Sequence, residues 1–264
     1  MRIFVEGVGL LGPGLHGWQA SRAVLMGDEP YVHAPTIVTA SDLLPPAERR
    51  RTGVPVKLAL AVGREAFLNA ERDASATPTV FTSSGGDSDN VHQICETLAT
   101  PEREVSPTRF HNSVHNAAAG YWSIAAQSRE SSTSLCCHDA SFAAGLLEAA
   151  TEIVVDGQPV ALIAYDQPYP EPLQAVRMIG ANFAVALVLT PHVSDRTFAA
   201  LDVTFVTETA NPTLMADSAL ESVRSTIPAA RSLPLLRVLA CGATEELIIE
   251  YLPGNHLRVV VTPC

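Results

Sequence analysis

Positive charge is scarce in this sequence. Lys57 is the only lysine, and lysines and arginines together number 17 against 28 acidic residues, a net charge of −11. No basic stripe exists, which excludes binding to nucleic acid or to an anionic membrane surface. The one dense basic cluster, "ERRR" at 48–51, reads as a solvated helix end. Long apolar runs are also missing: none reaches the ~18 residues a membrane span needs. The start, "MRIFVEGVGL", has no charged n-region, apolar h-region and cleavage site, so a cytoplasmic protein is expected. Cysteines are few and unevenly spaced. Of Cys95, Cys136, Cys137, Cys241 and Cys264, two are adjacent and none forms a C-x-x-C pair. That is neither a disulfide framework nor a zinc ligand set. Cys95, Cys241 and Cys264 read as buried reduced thiols, and Cys136-Cys137 as a buried strand end.

What the chain does have is 264 residues, 47% of them hydrophobic, in alternating strand and helix patterns. Strands are expected at 2–8, 78–84, 132–137, 159–166, 182–190 and 198–208. Helices are expected at 54–72, 88–100 (with Ser88 or Asp89 as N-cap), 111–127, 140–154 and 214–227. The runs "PVALIAYD" and "NFAVALVLT" are near-continuously apolar, as in strands buried on both faces. A hairpin over 245–261 should turn at Pro253-Gly254-Asn255. The alternation implies an α/β fold with a mainly parallel mixed sheet flanked by helices, followed by a strand–helix–hairpin extension. One domain over 1–195, with an extension over 196–264 packed on it, is the expected organisation.

"GVGLLG" (7–12) follows a strand and fits G-x-G-x-x-G, with Asp28 and Glu29 at a plausible ribose distance. A dinucleotide site needs the helix to open on these glycines. Pro13-Gly14 follows at once, so the motif reads as a decoy.

Several segments, in order, resemble the N-terminal half of β-ketoacyl synthases, of the thiolase-like fold. They are "VEGVGLLGPGL", "LLPPAERRRTG", "FTSSGGDSD", "SPTRFHNSVHNAAAGYWSI" (106–124) and the elbow "TSLCCHDASFAAGLLEAA" (133–150). The likeness covers about residues 1–190. Family synthases place a cysteine at a strand–helix junction, where the helix dipole lowers its pKa and backbone amides form an oxyanion hole. Overlaying the helix that follows puts His138 at that position, with Cys137 one residue before. An imidazole there cannot form the acyl thioester that condensation needs; a one-residue slip would make Cys137 the nucleophile. Active relatives also use two histidines, or a His and an Asn, from a C-terminal half. None of the eight histidines here stands in such a setting; His256 lies in the hairpin turn.

The resemblance therefore implies a non-catalytic subunit akin to a chain-length factor. It would form a heterodimer with an active β-ketoacyl synthase, meet acyl carrier protein only indirectly and need no cofactor. Truncated relatives of this kind belong to aryl polyene and xanthomonadin-type pigment pathways. The strand at 132–137 would pair across the dimer. By resemblance Ser84, Phe110, His111, Asn116, Tyr121, Leu135, Cys136 and Phe142 would border the acyl pocket or the interface. Asn116 is expected to hold the local backbone as a buried amide, and ordinary core packing is the competing reading of Tyr121 and Trp122. The alternative function is a stand-alone thiol acyltransferase or hydrolase using Cys137. His111 and His115, one helical turn apart, lack a third metal ligand at a recognisable spacing; with Asp87, Asp89 and His92 they read as polar residues at helix starts. "TSSGGDSD" lacks the lysine of a phosphate loop.

Overall fold

The computed structural model describes residues 1–208 and 210–264. Nine strands among the described residues form one sheet. They are β1 (Arg2–Gly12), β2 (Leu15–His16), β3 (Thr79–Thr82), β4 (Ser132–Leu135), β5 (Val160–Asp166), β6 (Phe183–Thr190), β7 (Ala199–Val206), β8 (Glu245–Glu250) and β9 (His256–Pro263). The helices are α1 (Trp18–Met26), α2 (Pro46–Arg49), α3 (Val54–Ala70), α4 (Ser88–Leu98), α5 (Pro107–Asn112), α6 (Ala117–Ala126), α7 (Ser141–Asp156), α8 (Leu173–Val176), α9 (Ser218–Thr226) and α10 (Leu233–Cys241).

Across the sheet the order is β4-β3-β5-β6-β1-β7-β9-β8, with β2 folded back on β1. The expected α/β class and mixed sheet are present. Parallel pairing is confined to β4-β3-β5, and the remaining ladders are antiparallel. The expectation of a mainly parallel sheet is thus corrected. Its source is β6: an apolar strand buried on both faces reads as parallel, yet here it runs against both β5 and β1. The C-terminal strands continue the same sheet through β7, which pairs with β1.

The near-continuous apolar runs have a direct explanation. Along β5, Val160, Leu162 and Ala164 enter one hydrophobic layer, while Ala161, Ile163 and Tyr165 enter the other. On β6 the split is Phe183, Val185, Leu187 and Leu189 against Ala184, Ala186 and Val188. α3 and α6 cover one face of the sheet; α7, α9 and α10 cover the other. Both layers bury aliphatic side chains, each worth ~1.5–3 kcal/mol relative to exposure.

The glycines of "GVGLLG" lie inside β1. A Cβ on Gly7 would run into the carbonyl oxygen of Ala66, and one on Gly9 into that of Val62. They allow α3 to lie close on the strand and bind no dinucleotide phosphate. Between Val5 and Gly7 the register shifts. Glu6, at that irregularity, is buried and pairs with Arg72 while accepting from Ser194.

Other expectations need revision. The helix expected over 111–127 is two helices, α5 and α6, separated at 113–116. Asn112 turns its amide outward from the first of them: Nδ2 donates to the Arg51 carbonyl at 2.7 Å and Oδ1 accepts from Tyr121 at 3.0 Å. The N-cap of α4 is Asp87, which accepts from the Asn90 N–H at 3.1 Å, in place of Ser88 or Asp89. Besides the short α8, two longer helices went unread, α1 and α10. Both end on a glycine in the left-handed region, Gly27 and Gly242, and α10 carries Pro234 in its first turn. Cys95, Cys241, Cys264 and Cys136 are exposed, against the buried positions expected, and Cys137 is half-buried.

Candidate functional site

The parallel strands β3, β4 and β5 run the same way, so their C-terminal ends deliver three loops to one edge. That is where α/β sheets place ligand sites. After β3 come Ser83 to Gly86. The Ser83 hydroxyl oxygen accepts from the Gly86 N–H at 3.0 Å, and the Ser83 carbonyl meets His115 Nε2 at 3.1 Å. After β5, the fully buried Asp166 accepts from the Ser84 N–H and the Ala229 N–H, each at 2.8 Å. Burial pushes this carboxyl up to about 7, against those hydrogen bonds and the nearby Arg177 charge.

After β4 the chain turns through Cys136, Cys137 and His138 into a single 3₁₀ turn, His138–Ala140, and then α7. His138 has φ 52°, the left-handed region that a non-glycine residue enters only with strain. A strained residue on a sharp strand-to-helix turn is the geometry of a nucleophile elbow. The strain falls on His138, and Cys137 lies outside it with φ −134°. Ser141 fixes the turn: its hydroxyl donates to the His138 carbonyl at 2.7 Å and accepts from the Cys137 N–H at 3.1 Å. Thr82 at the end of β3 donates to the Ser141 carbonyl at 2.7 Å, which ties α7 to the sheet.

The His138 side chain is 68% exposed, with Nδ1 3.5 Å from Asp139. Asp139 is the hub of an ion-pair chain. Arg177 reaches it at 2.8 Å and also donates to Ser84 Oγ at 2.6 Å. Arg231 lies 3.5 Å from Asp139 and 3.6 Å from Glu250, which in turn meets Arg224 at 3.0 Å. Burial works to raise the Asp139 pKa, but Arg177 and Arg231 prevail and hold it below the usual aspartate range. The Cys137 thiol moves the other way. Burial first, and Cys136 beside it, push it up, so it is less readily a thiolate at neutral pH. Cys136 donates its S–H to the Ser84 carbonyl at 3.1 Å.

The expected pocket residues fall into three places. Ser84, Cys136 and the half-buried Leu135 surround the elbow. His111, Asn116 and Tyr121 line a separate cleft of about 210 Å³, and Phe110, 70% exposed, stands nearby on α5. Phe142 is 0% exposed and belongs to the core under α7, so in this chain it lines no pocket. Asn116 is exposed and makes no cap hydrogen bond. The buried amide that holds the backbone there is Asn112. Tyr121 and Trp122 are core residues on α6, and Trp122 stacks on Phe67 at 5.5 Å. His111 faces Tyr121 edge-on while His115 faces Ser83, so the two imidazoles serve different contacts. His92 pairs with Glu96, and His256 is the first residue of β9, opposite Glu250. Arg177 and Arg231, unread in the sequence, complete the elbow. Arg50, Arg51, Lys57 and Arg109 gather with Asp87 and Asp89 around a polar cleft of about 510 Å³. The "ERRR" cluster ends α2, with Arg50 and Arg51 exposed, as expected.

The family model described as β-ketoacyl synthase, N-terminal domain, matches residues 16–244. The chain belongs to this family. The match runs well past residue 190, so the β-ketoacyl synthase pattern takes in α9 and α10 as well. No curated protein sequence matches the chain. Among solved structures, a chain of the complex of the ketosynthase ApeO with its chain length factor ApeC from Xenorhabdus doucetiae is similar, with a TM-score of 0.74 at 22% identity, covering 99% of each chain. A chain of the ishigamide ketosynthase/chain length factor gives 0.73 at 13% identity, covering 100% of this chain and 99% of that one. A β-ketoacyl synthase from Burkholderia phymatum gives 0.62 at 14% identity, covering 86% of this chain and 70% of that one. These likenesses establish the thiolase-like fold. Among the described residues no helix is long and apolar enough to cross a membrane.

Proposed function

We propose that this chain is a chain-length-factor-like subunit. It pairs with an active β-ketoacyl-acyl-carrier-protein synthase, helps wall the acyl tunnel, and performs no condensation itself. The observation that carries this reading is His138 in the strained elbow position, where the family chemistry requires a thiolate. The pairing side is argued from β4. It ends the sheet with no described strand beyond it, and exposed Phe110 and Val114 leave apolar surface on α5 and just after it. An uncovered edge of this kind invites another strand. The solved complex of ApeO with ApeC supports the choice of a ketosynthase as partner, and the sequence resemblance supports a pigment pathway of the aryl polyene type, with acyl carrier protein met through the synthase. The Cys137 acyltransferase reading has the raised thiol pKa against it.

The test is co-expression with candidate ketosynthases from the same genome. A one-to-one complex should elute, with condensation only in the complex. Leu135→Lys, at the C-terminal end of the free edge strand, should weaken association. Cys137→Ser should leave condensation by the complex intact. Condensation by the isolated chain, or no association with any ketosynthase tried, would sink the proposal.

A further inference from the structure

At the other end of β3 and β4, where these strands begin, the structure has a third cleft. It is about 530 Å³, within the ~300–1,000 Å³ of small-molecule sites. Phe67, Leu68, Trp122, Ala125 and Ala126 make its walls, with Arg64, Glu71 and Arg72 also lining it. It shares no residue with the elbow and does not depend on the partner proposed above.

We propose that this cleft binds a small hydrophobic carboxylic acid, with an acceptor oxygen on the Trp122 indole N–H. Trp122 is 3% exposed, and its Nε1 is buried without a hydrogen-bond partner. Buried donors are nearly always paired, so an orphan on a ring that lines a cleft calls for an acceptor, which a small shift of the ring would admit. The ring is held on two sides. It stacks on Phe67 at 5.5 Å, and its benzo edge, Cζ3 and Cη2, covers Gly63, where a Cβ would have no room. The pyrrole edge that carries Nε1 is therefore on the side away from Gly63. The lining cations differ in freedom. Arg72 is committed to the buried Glu6. Among the described residues Arg64 pairs only with Asp42, and both side chains of that pair are largely exposed, a geometry that contributes little. Arg64 is thus the cation able to turn to an acidic ligand. Leu68, 67% exposed, forms an apolar lip, and the alanines of α6 leave room for a flat body.

Calorimetric titration of the full chain with 2-naphthoate tests this, with tryptophan fluorescence as a second readout. The expected result is saturable binding. It should weaken about fivefold in Trp122→Phe, which keeps the stack and deletes the N–H. It should vanish in Ala125→Phe, which fills the cleft. Leu68→Glu, on an exposed position that cannot threaten folding, should weaken naphthoate more than the neutral 2-naphthalenemethanol, because the new carboxylate repels only the charged probe. Absence of saturable heat at millimolar probe in the wild type would overturn the proposal, as would unchanged affinity in Leu68→Glu together with either wall variant.

Discussion

Replacing Asp166 with asparagine should flatten the pH dependence of stability of the isolated chain. Asp166 is fully buried at the end of β5 and its carboxyl is pushed up to about 7 by that burial. In the unfolded chain the same group titrates at about 4. A folded-state pKa above the unfolded one means the stabilising contribution is complete below about pH 4 and is lost as pH rises through about 7. The difference is about three units, at about 1.4 kcal/mol each, so about 4 kcal/mol in all. Between about pH 5 and about pH 8 the wild type should lose about 2.5 kcal/mol through this group alone. Urea unfolding at a series of pH values reads the loss, and the slope of wild type minus variant isolates it from the eight histidines common to both. The asparagine must set its NH₂ against one of the two N–H donors from Ser84 and Ala229, so its absolute stability will be lower; the slope is unaffected by that offset. A wild type and an Asp166→Asn variant with parallel profiles over this range would refute the reasoning, and would mean that the two N–H groups keep the carboxylate charged in the folded chain.

His138→Gly removes the left-handed strain at the elbow and should raise stability by about 0.5–1 kcal/mol in urea unfolding; a loss would mean the imidazole makes contacts that outweigh the strain. Phe142→Ala opens the core under α7 and should cost about 3–5 kcal/mol. Phe110→Ala should cost the isolated chain less than about 0.5 kcal/mol and show its effect only in association with a ketosynthase, measured by calorimetry. Gly9→Ala drives a methyl into the Val62 carbonyl and should lower Tm by several degrees at least, equivalent to about 1–3 kcal/mol of overpacking.

The sheet was legible where periodicity and burial agree. β5 and β6 read correctly because every position is apolar and both faces are covered, but that same uniformity hid the direction of β6. The elbow was legible because a strand, a turn and an amphipathic helix meet within 18 residues. Its supporting charges were not. Arg177 and Arg231 are 38 and 92 residues from Asp139, and no local pattern joins them. Asn116 and Asn112 show the limit of a motif: both sit in the same segment, and only the packing of Tyr121 against α5 decides which amide is buried. The exposed cysteines were misread because average burial was applied to single positions near helix and strand ends.

The two ends of the sheet are not alike. At the β8 end the outward groups of Ile248 are already taken: its carbonyl accepts from the Thr213 N–H and its own N–H donates to Thr213 Oγ1, each at 2.9 Å. Glu245 and Glu250 add ion pairs with Arg237, Arg224 and Arg231 there. Among the described residues the β4 end carries no such cover. On the pairing proposed through β4, a molecule open at one rim and sealed at the other has a stoichiometry written into it. Once a second chain closes the β4 rim, nothing is left to recruit a third, so the sheet can double in width without polymerising.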